Sequence, residues 1–251
     1  MTLQNFFEEN TRCALAFSGG VDSAYLLWFA KSCGADVKAY YAHTPFQPGF
    51  ELEDARRMAA ETGAEMRLVE LDPLEDARIA CNDERRCYWC KRAIFSAIQR
   101  AAESDGYSLI IDGTNASDDA EDRPGMQALR EMGVRSPLRE CGVTKAMVRE
   151  NSRRAGLFTA DKPAYACLAT RIPTGETITV ADLNRVEQAE KAMSALGFSD
   201  FRVRKRGEAA LLQITEEQRS MALEKSGLIR EKLRPWFVRV WLDMEARQAS
   251  R

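Results

Sequence analysis

Residues 18–23, Ser18-Gly19-Gly20-Val21-Asp22-Ser23, constrain this chain more than any other stretch. They follow an apolar run, Cys13 to Phe17, that reads as a buried strand. They precede an amphipathic pattern that starts a helix at Val21 or Asp22 and carries it to about Cys33. Gly19 and Gly20 lack a Cβ, so the turn can take positive φ and let a ligand approach the main chain. Ser18 and Ser23 add hydroxyl donors, and the first N–H groups of the new helix point into the same space. Such a turn suits a pyrophosphate. A plain strand–turn–helix junction would explain the glycines alone, but the full string is far more specific. Neither the Walker A string nor Gly-x-Gly-x-x-Gly occurs, which argues against a P-loop ATPase and a dinucleotide fold.

The six-residue string resembles the PP-loop of the ATP pyrophosphatases, N-type enzymes that split ATP into AMP and pyrophosphate. The segments after it alternate in kind. Val37 to Ala42 reads as a strand, Glu51 to Thr62 as a helix, Glu65 to Leu71 as a strand, Arg86 to Ser104 as a long helix and Ser108 to Asp112 as a short buried strand. Strands separated by helices predict an α/β fold, a parallel sheet with helices on both faces. Ligands of such sheets bind beyond the carboxyl ends of the strands, where the Ser18 loop, Tyr41 to Phe46 and Asp112 to Asn115 all fall. Residues 120–125 and 133–145 read as loops, and a helix follows from about Lys145 to Ala155. Beyond an irregular stretch from Asp161 to Gly175, the tail reads as a small α+β unit. It comprises a capped helix Val180 to Leu196, strands Phe201 to Arg206 and Ala209 to Ile214, a helix Glu216 to Leu223 and a strand Trp236 to Met244. The expected domains are 1–160 and 161–251.

Composition narrows the class. The 251 residues carry a net charge of −2, so no global positive field recruits nucleic acid. No apolar run approaches the roughly 20 residues of a membrane span. The first residues lack the basic start and apolar run of a signal peptide. A cytoplasmic, reducing setting is therefore expected, in which the seven cysteines serve as ligands or core residues rather than disulfides. With a single histidine, acid–base work falls mostly on carboxylates, lysine or water.

Three further features can carry chemistry. Cys87 and Cys90 stand one turn apart at a helix start, and either share a metal or cluster or are two small, partly buried thiols. Asp112-Gly113-Thr114-Asn115, with Asp118, Asp119 and Arg123-Pro124-Gly125, either holds Mg²⁺ or ATP or is an acidic solvated loop. Cys167 lies in a flexible stretch beside Arg171. Arg202, Arg204 and Arg206 share one strand face, which is either solvated or an anion site for a substrate phosphate. His43 reads as a satisfied structural histidine, Cys13 and Cys33 as core or helix-packing residues, Cys81 as a spare ligand and Cys141 as a loop residue.

Taken in order, several motifs form one pattern: Ser18 to Ser23, Phe46-Gln47-Pro48, Arg86-Cys87-Tyr88-Trp89-Cys90-Lys91, Asp112 to Asn115, Arg123-Pro124-Gly125 and Ser136-Pro137-Leu138. Lys145, Cys167 to Pro173, Ala189-Glu190-Lys191, Gly197-Phe198 and Arg202-Val203-Arg204 continue it. The combination resembles the LarE family, ATP-dependent sulfur transferases that build the nickel-pincer nucleotide cofactor of lactate racemase. The resemblance runs from about Cys13 to Arg204.

The resemblance implies two stages. ATP adenylates a carboxylate of a pyridinium dicarboxylate mononucleotide with release of pyrophosphate, and a sulfur nucleophile then displaces AMP to leave a thiocarboxylate. It implies ATP contacts from Ser18, Gly19, Gly20, Asp22, Ser23, Tyr41, Asp112, Gly113 and Asn115, Mg²⁺ near Asp22, and cationic help from Lys91 and Lys145. It implies substrate contacts from Thr170, Arg171, Glu190, Arg202 and Arg204, and a homo-oligomer supplied by a separate sulfide donor. One branch of the family sacrifices a cysteine, where this chain has Ala166, and lacks the Cys-x-x-Cys. The resemblance is to the other branch, in which three cysteines, here Cys87, Cys90 and Cys167, hold a [4Fe-4S] cluster. A family carboxylate near the end of the second C-terminal strand is Gln213 here, and Glu245-Ala246-Arg247-Gln248 replaces a Gly-Tyr-Arg tail.

Two other classes are weighed against this. A PP-loop tRNA thiolase is expected to show a basic RNA-binding surface or an added RNA domain, for which an acidic chain of this length leaves little room. A non-catalytic nucleotide- or zinc-binding protein would use the same cysteines as zinc ligands.

Overall fold

Four strands with apolar residues on both sides form the centre of the first unit. β1 (Arg12–Ala16), β2 (Asp36–His43), β3 (Met66–Glu70) and β4 (Ile110–Asp112) lie in the order β3-β2-β1-β4, all pairs parallel. The computed structural model describes residues 1–118 and 124–248. Alternation along the strands divides their side chains between two cores. Cys13, Leu15, Val37, Ala39 and Tyr41 face one, with α1 (Leu3–Glu9), α2 (Val21–Ser32), α3 (Gly49–Thr62) and α8 (Lys145–Arg154). Ala14, Tyr40, Ala42 and Val69 face the other, with α5 (Arg86–Ser104) and α6 (Pro124–Glu131). Burial of each large apolar side chain contributes about 1.5–3 kcal/mol, so both sheet faces have to be covered. The expected α/β architecture is the one observed.

Strand order positions the site. The chain runs outward from β1 through β2 to β3, then returns to the opposite side of β1 for β4. The crevice where the direction reverses lies between the ends of β1 and β4, with Ala16 level with Asp112. Arg86–Ser104 is helical over the span read from the sequence. The two expected loops are partly helical instead: α6 begins at Pro124, and α7 (Pro137–Glu140) has a proline in its first turn. Proline there forfeits no helical hydrogen bond and presets φ, so these prolines open helices rather than turns. Asp119 and Arg123, singled out above, lie outside the described residues.

The chain divides into two compact units, Met1–Ile79 with Arg85–Lys162, and Ala80–Glu84 with Pro163–Arg251. Contiguous domains meeting at 160/161 were expected, whereas the segment Ala80–Glu84, which begins at the last residue of α4 (Ala77–Ala80), groups with the tail. Hydrogen bonds give the reason. Asn82 Nδ2 donates to the carbonyls of Pro173 (2.8 Å) and Glu176 (3.2 Å), and Gly175 and Ile178 return N–H bonds to Asn82 and Ala80 at 2.8 Å.

In the second unit, Thr179 caps α9 (Val180–Ala195) by accepting from the Asp182 N–H. The helix packs on β5 (Arg202–Arg206), which pairs antiparallel with β6 (Ala209–Gln213), itself parallel to β7 (Arg239–Leu242). The strand expected from Trp236 shrinks to β7 because Phe237 turns into the core after α11 (Ser226–Leu233), a helix not read from the sequence. A short α10 (Arg219–Glu224) precedes it. Among the described residues, no helix is long and apolar enough to cross a membrane.

Candidate active site

At the ends of β1 and β4 the structure forms a cavity of about 260 Å³ within the first unit. One side is polar: Ser18, Gly20, Asp22 and Ser23 from the turn, Lys91 from α5, and Asp112 to Thr114 and Asp118 from the β4 loop. The other is apolar, with Ala42, Ile94, Phe95 and Ile98. Ile94, Phe95 and Ile98 were not read as site residues, because their helical spacing on α5 marks them as core. The division suits a ligand with a polar end and a flat apolar end.

The turn is held by its own hydroxyls. Ser18 Oγ and Ser23 Oγ are 3.1 Å apart, and Ser23 Oγ donates to the Gly20 carbonyl at 3.2 Å. Gly19 takes φ +72°, where a Cβ would stand 3.1 Å from the Glu51 carbonyl oxygen and 3.2 Å from Ala55. Gly113 is needed for a different reason: a Cβ there would meet the Ser23 nitrogen at 2.8 Å. Main chain thus touches main chain where β4 meets the start of α2.

Asp22 is the electrostatic centre. Its carboxylate accepts from Lys145 Nζ at 2.5 Å and from Asn115 Nδ2 at 3.2 Å. Burial nonetheless pushes the Asp22 carboxyl above its ordinary value, because it outweighs the pull of Lys145, and Asp118 adds to the rise. A carboxylate so placed gains from any further cation. The loop is fixed around it: Asn115 N–H donates to Asp118 at 2.9 Å, and Asp112 accepts from Thr114 Oγ1 at 2.6 Å and Ser136 Oγ at 2.7 Å. Asp22 and Asp118 supply the hard oxygen donors that Mg²⁺ takes. Lys145, expected on an anion, is paired with Asp22, while Lys91 is exposed on the cavity wall with its ammonium 5.3 Å from the Phe95 ring. Tyr41 also lines the cavity, but its ring packs into the core shared with α2 and α3, so what it offers a ligand is main chain.

Cys87 and Cys90 lie in the first turn and a half of α5, the former exposed and the latter half-buried. Cys167 is half-buried just before a 3₁₀ turn, Leu168–Arg171, in the second unit. Thiols are donors that both zinc and iron–sulfur clusters take, and here two lie in the first unit and one in the second. Within either unit, no group of three or more His, Cys, Asp or Glu among the described residues is placed to hold a metal ion. Cys13 is buried, and burial, with Asp36 nearby, pushes its thiol up to about 12. Cys33 departs from expectation: it caps α2 at its C-terminal end and is exposed. His43 pairs with Glu70 at 2.7 Å.

The arginines of the second unit form a cationic cluster. Arg202 is buried and donates to the carbonyls of Phe201 and Ala164, each at 2.6 Å. Arg204 donates to the Thr170 carbonyl at 2.6 Å and to Gln213 Oε1 at 2.5 Å. Burial, reinforced by Arg171 and Arg247, lowers Arg202 to about 10, and burial with Arg171, Arg206 and Arg247 lowers Arg204. Cations that depress one another in this way favour an anion among them. Of this strand face only Arg206 is exposed. Arg171 and Glu190, expected on the substrate, are instead buried against each other at 2.8 Å. Tyr165, which donates to Glu190, was not picked out; an aromatic residue two positions before Cys167 was the available signal.

No family model matches the sequence. Over 217 residues the chain is 33% identical to the pyridinium-3,5-bisthiocarboxylic acid mononucleotide synthase of Lactiplantibacillus plantarum, across 86% of this chain and 79% of that enzyme. The chain belongs to the LarE family. It is also 37% identical over 253 residues to an uncharacterized protein of Synechocystis sp., across 99% of this chain and 94% of the other. An uncharacterized protein of Methanocaldococcus jannaschii is 27% identical over 237 residues, across 94% and 91% of the two chains.

Proposed function

We propose that this chain is an ATP-dependent sulfur transferase that converts a carboxylate of a pyridinium dicarboxylate mononucleotide to a thiocarboxylate for nickel-pincer nucleotide synthesis. The observation that carries this reading is the hydroxyl-lined turn opening on the β1–β4 crevice, in a chain related along 86% of its length to a thiocarboxylate synthase. ATP enters the cavity with its adenine against Ile94, Phe95 and Ile98 and its phosphates over the turn. A carboxylate oxygen of the substrate attacks the α-phosphorus, the α–β bridging P–O bond breaks, and pyrophosphate leaves. Gly20 and Ser23 N–H groups, the serine hydroxyls and Lys91 stabilise the charge that develops on it. Asp22 and Asp118 would hold Mg²⁺, which neutralises phosphate charge, and Lys145 would then be released toward the anion. Arg202 and Arg204 hold the substrate phosphate.

Sulfur attacks the acyl carbon and the carbon–oxygen bond to AMP breaks, leaving the thiocarboxylate. Cys87, Cys90 and Cys167 would hold a [4Fe-4S] cluster, which leaves one iron open to a sulfide from a separate donor. A reducing cytoplasm and a homo-oligomeric assembly belong to the same reading.

Pyrophosphate release from ATP is expected only with the carboxylated pyridinium nucleotide, and Asp22→Ala is expected to lower it by about 100-fold or more while the chain stays folded. Arg202→Ala with Arg204→Ala should raise KM for the nucleotide. Anaerobically reconstituted protein should carry about four irons per chain, and replacing any one of the three cysteines by Ala should lower iron content and sulfur transfer together. Release stimulated by tRNA would assign a thiolase, and bound zinc without release a binding protein. A mass loss of one H₂S at Cys167 after a single turnover would replace the cluster by a sacrificial cysteine.

A further inference from the structure

Arg171 is the bulkiest side chain among the fully buried described residues, and its partner Glu190 is nearly as inaccessible. Burying such a pair costs desolvation that attraction offsets only with excellent geometry, and packed apolar residues often serve stability equally well. What a guanidinium adds is direction. Nε and one Nη donate to the two Glu190 oxygens at 2.8 and 3.2 Å. The other Nη donates to the carbonyls of Ala166 (2.8 Å) and Cys167 (3.3 Å) and to Thr170 Oγ1 (2.8 Å). Thr170 sends its hydroxyl and its own N–H to the same Cys167 carbonyl, at 2.8 and 3.0 Å. Three donors thus converge on the main chain of the residue that bears the thiol. Glu190 is fixed in turn by the Val203 N–H at 2.9 Å and by the Tyr165 hydroxyl, and the Tyr165 ring lies 4.6 Å from the guanidinium.

We propose that Arg171, clamped by Glu190 and Tyr165, is a positioning residue that sets the main chain at Cys167 and so aims its thiol. This rests on the reading that Cys167 serves sulfur transfer, and it gives Arg171 and Glu190 a role other than touching substrate. Lysine keeps the charge but lacks the planar fork that reaches a carboxylate on one side and loop carbonyls on the other.

The test compares full-length wild type with Arg171→Lys in the absence of ATP. The alkylation rate of each cysteine by iodoacetamide is followed by peptide mass spectrometry, alongside amide exchange over residues 164–172. In the variant, Cys167 alkylation and exchange of that segment should both rise about tenfold, while exposed Cys33 keeps its rate. Lys205→Met, which breaks a different ion pair of the same unit, with Glu176 and Asp182, should leave the Cys167 rate as in wild type. In sulfur transfer, Arg171→Lys should lower kcat at constant KM for the pyridinium nucleotide, whereas loss of a direct substrate contact raises KM. Unchanged Cys167 alkylation and exchange in folded Arg171→Lys overturns the proposal, as does a raised KM at constant kcat. If that variant shows no cooperative melt, Thr170→Val takes its place. It leaves the ion pair whole but removes the hydroxyl between Arg171 and Cys167, and an unchanged Cys167 rate in it overturns the proposal as well. Absence of pyrophosphate release by wild type would sink the transferase reading and leave the alkylation comparison standing.

Discussion

At Gly113 a Cβ would stand 2.8 Å from the nitrogen and 3.0 Å from the Cα of Ser23, and main chain cannot change rotamer to make room. Gly113→Ala is therefore expected to destabilise the chain by about 1–3 kcal/mol and to abolish pyrophosphate release by tilting the start of α2. Thermal melting followed by a pyrophosphate assay checks both, and an unshifted melt would show that β4 can yield. The glycines of the turn were legible from their string, since the requirement is local. What Gly113 touches was not, because its neighbour lies ninety positions earlier. The same holds for the pairing of Asp22 with Lys145 and of Arg171 with Glu190. Sequence identified these as polar candidates, but only the fold decides which charges meet, and a charge already met by a buried partner has a different use from one facing a ligand. Cys33 shows the reverse case: the apolar pattern of α2 runs up to it, yet the last turn rotates it to solvent.

Among the elements, α5 matters most to the site, because it carries Cys87 and Cys90 at one end and lines the cavity with its middle. Its far end is fastened by Asp105, which accepts from Lys38 Nζ (3.0 Å) and the Tyr40 hydroxyl (2.9 Å) on β2 and from Arg67 (2.8 Å) on β3. The Lys38 bond foremost, with those of Tyr40 and Arg67, holds the Asp105 carboxyl down to about 2 from an ordinary 3.8. A depressed carboxyl favours the fold above its unfolded value and loses that contribution as pH falls through the folded one. The melting temperature should thus drop more steeply between about pH 4 and pH 2 in wild type than in Asp105→Asn, and parallel curves would deny the clasp its role. The span of α5 was readable because nineteen residues of amphipathic spacing leave little ambiguity. The α6 and α7 helices were not, since proline marks a helix start and a turn with the same letter.

For the whole molecule, alternating strands and helices announced a parallel sheet, and the observed order places its reversal where the turn was expected to bind. Division into units was harder to read, because five residues inside the first stretch of chain fold with the last. Asn82, in a positive-φ backbone at +57°, secures them through Pro173 and Glu176. The polypeptide accordingly passes between its two units three times, after Ile79, after Glu84 and after Lys162. A single protease cut at Lys162–Pro163 would yield two pieces that do not correspond to the two units, since the longer piece retains a loop that Asn82 and Ala80 hydrogen-bond to Pro173, Gly175, Glu176 and Ile178 on the shorter. Expressed apart, residues 1–162 and 163–251 should each be protease-sensitive; expressed together they should reassociate, and Asn82→Ala should weaken that reassembly. The chain is thus a candidate for fragment complementation, with the short Ala80–Glu84 segment as the adhesive.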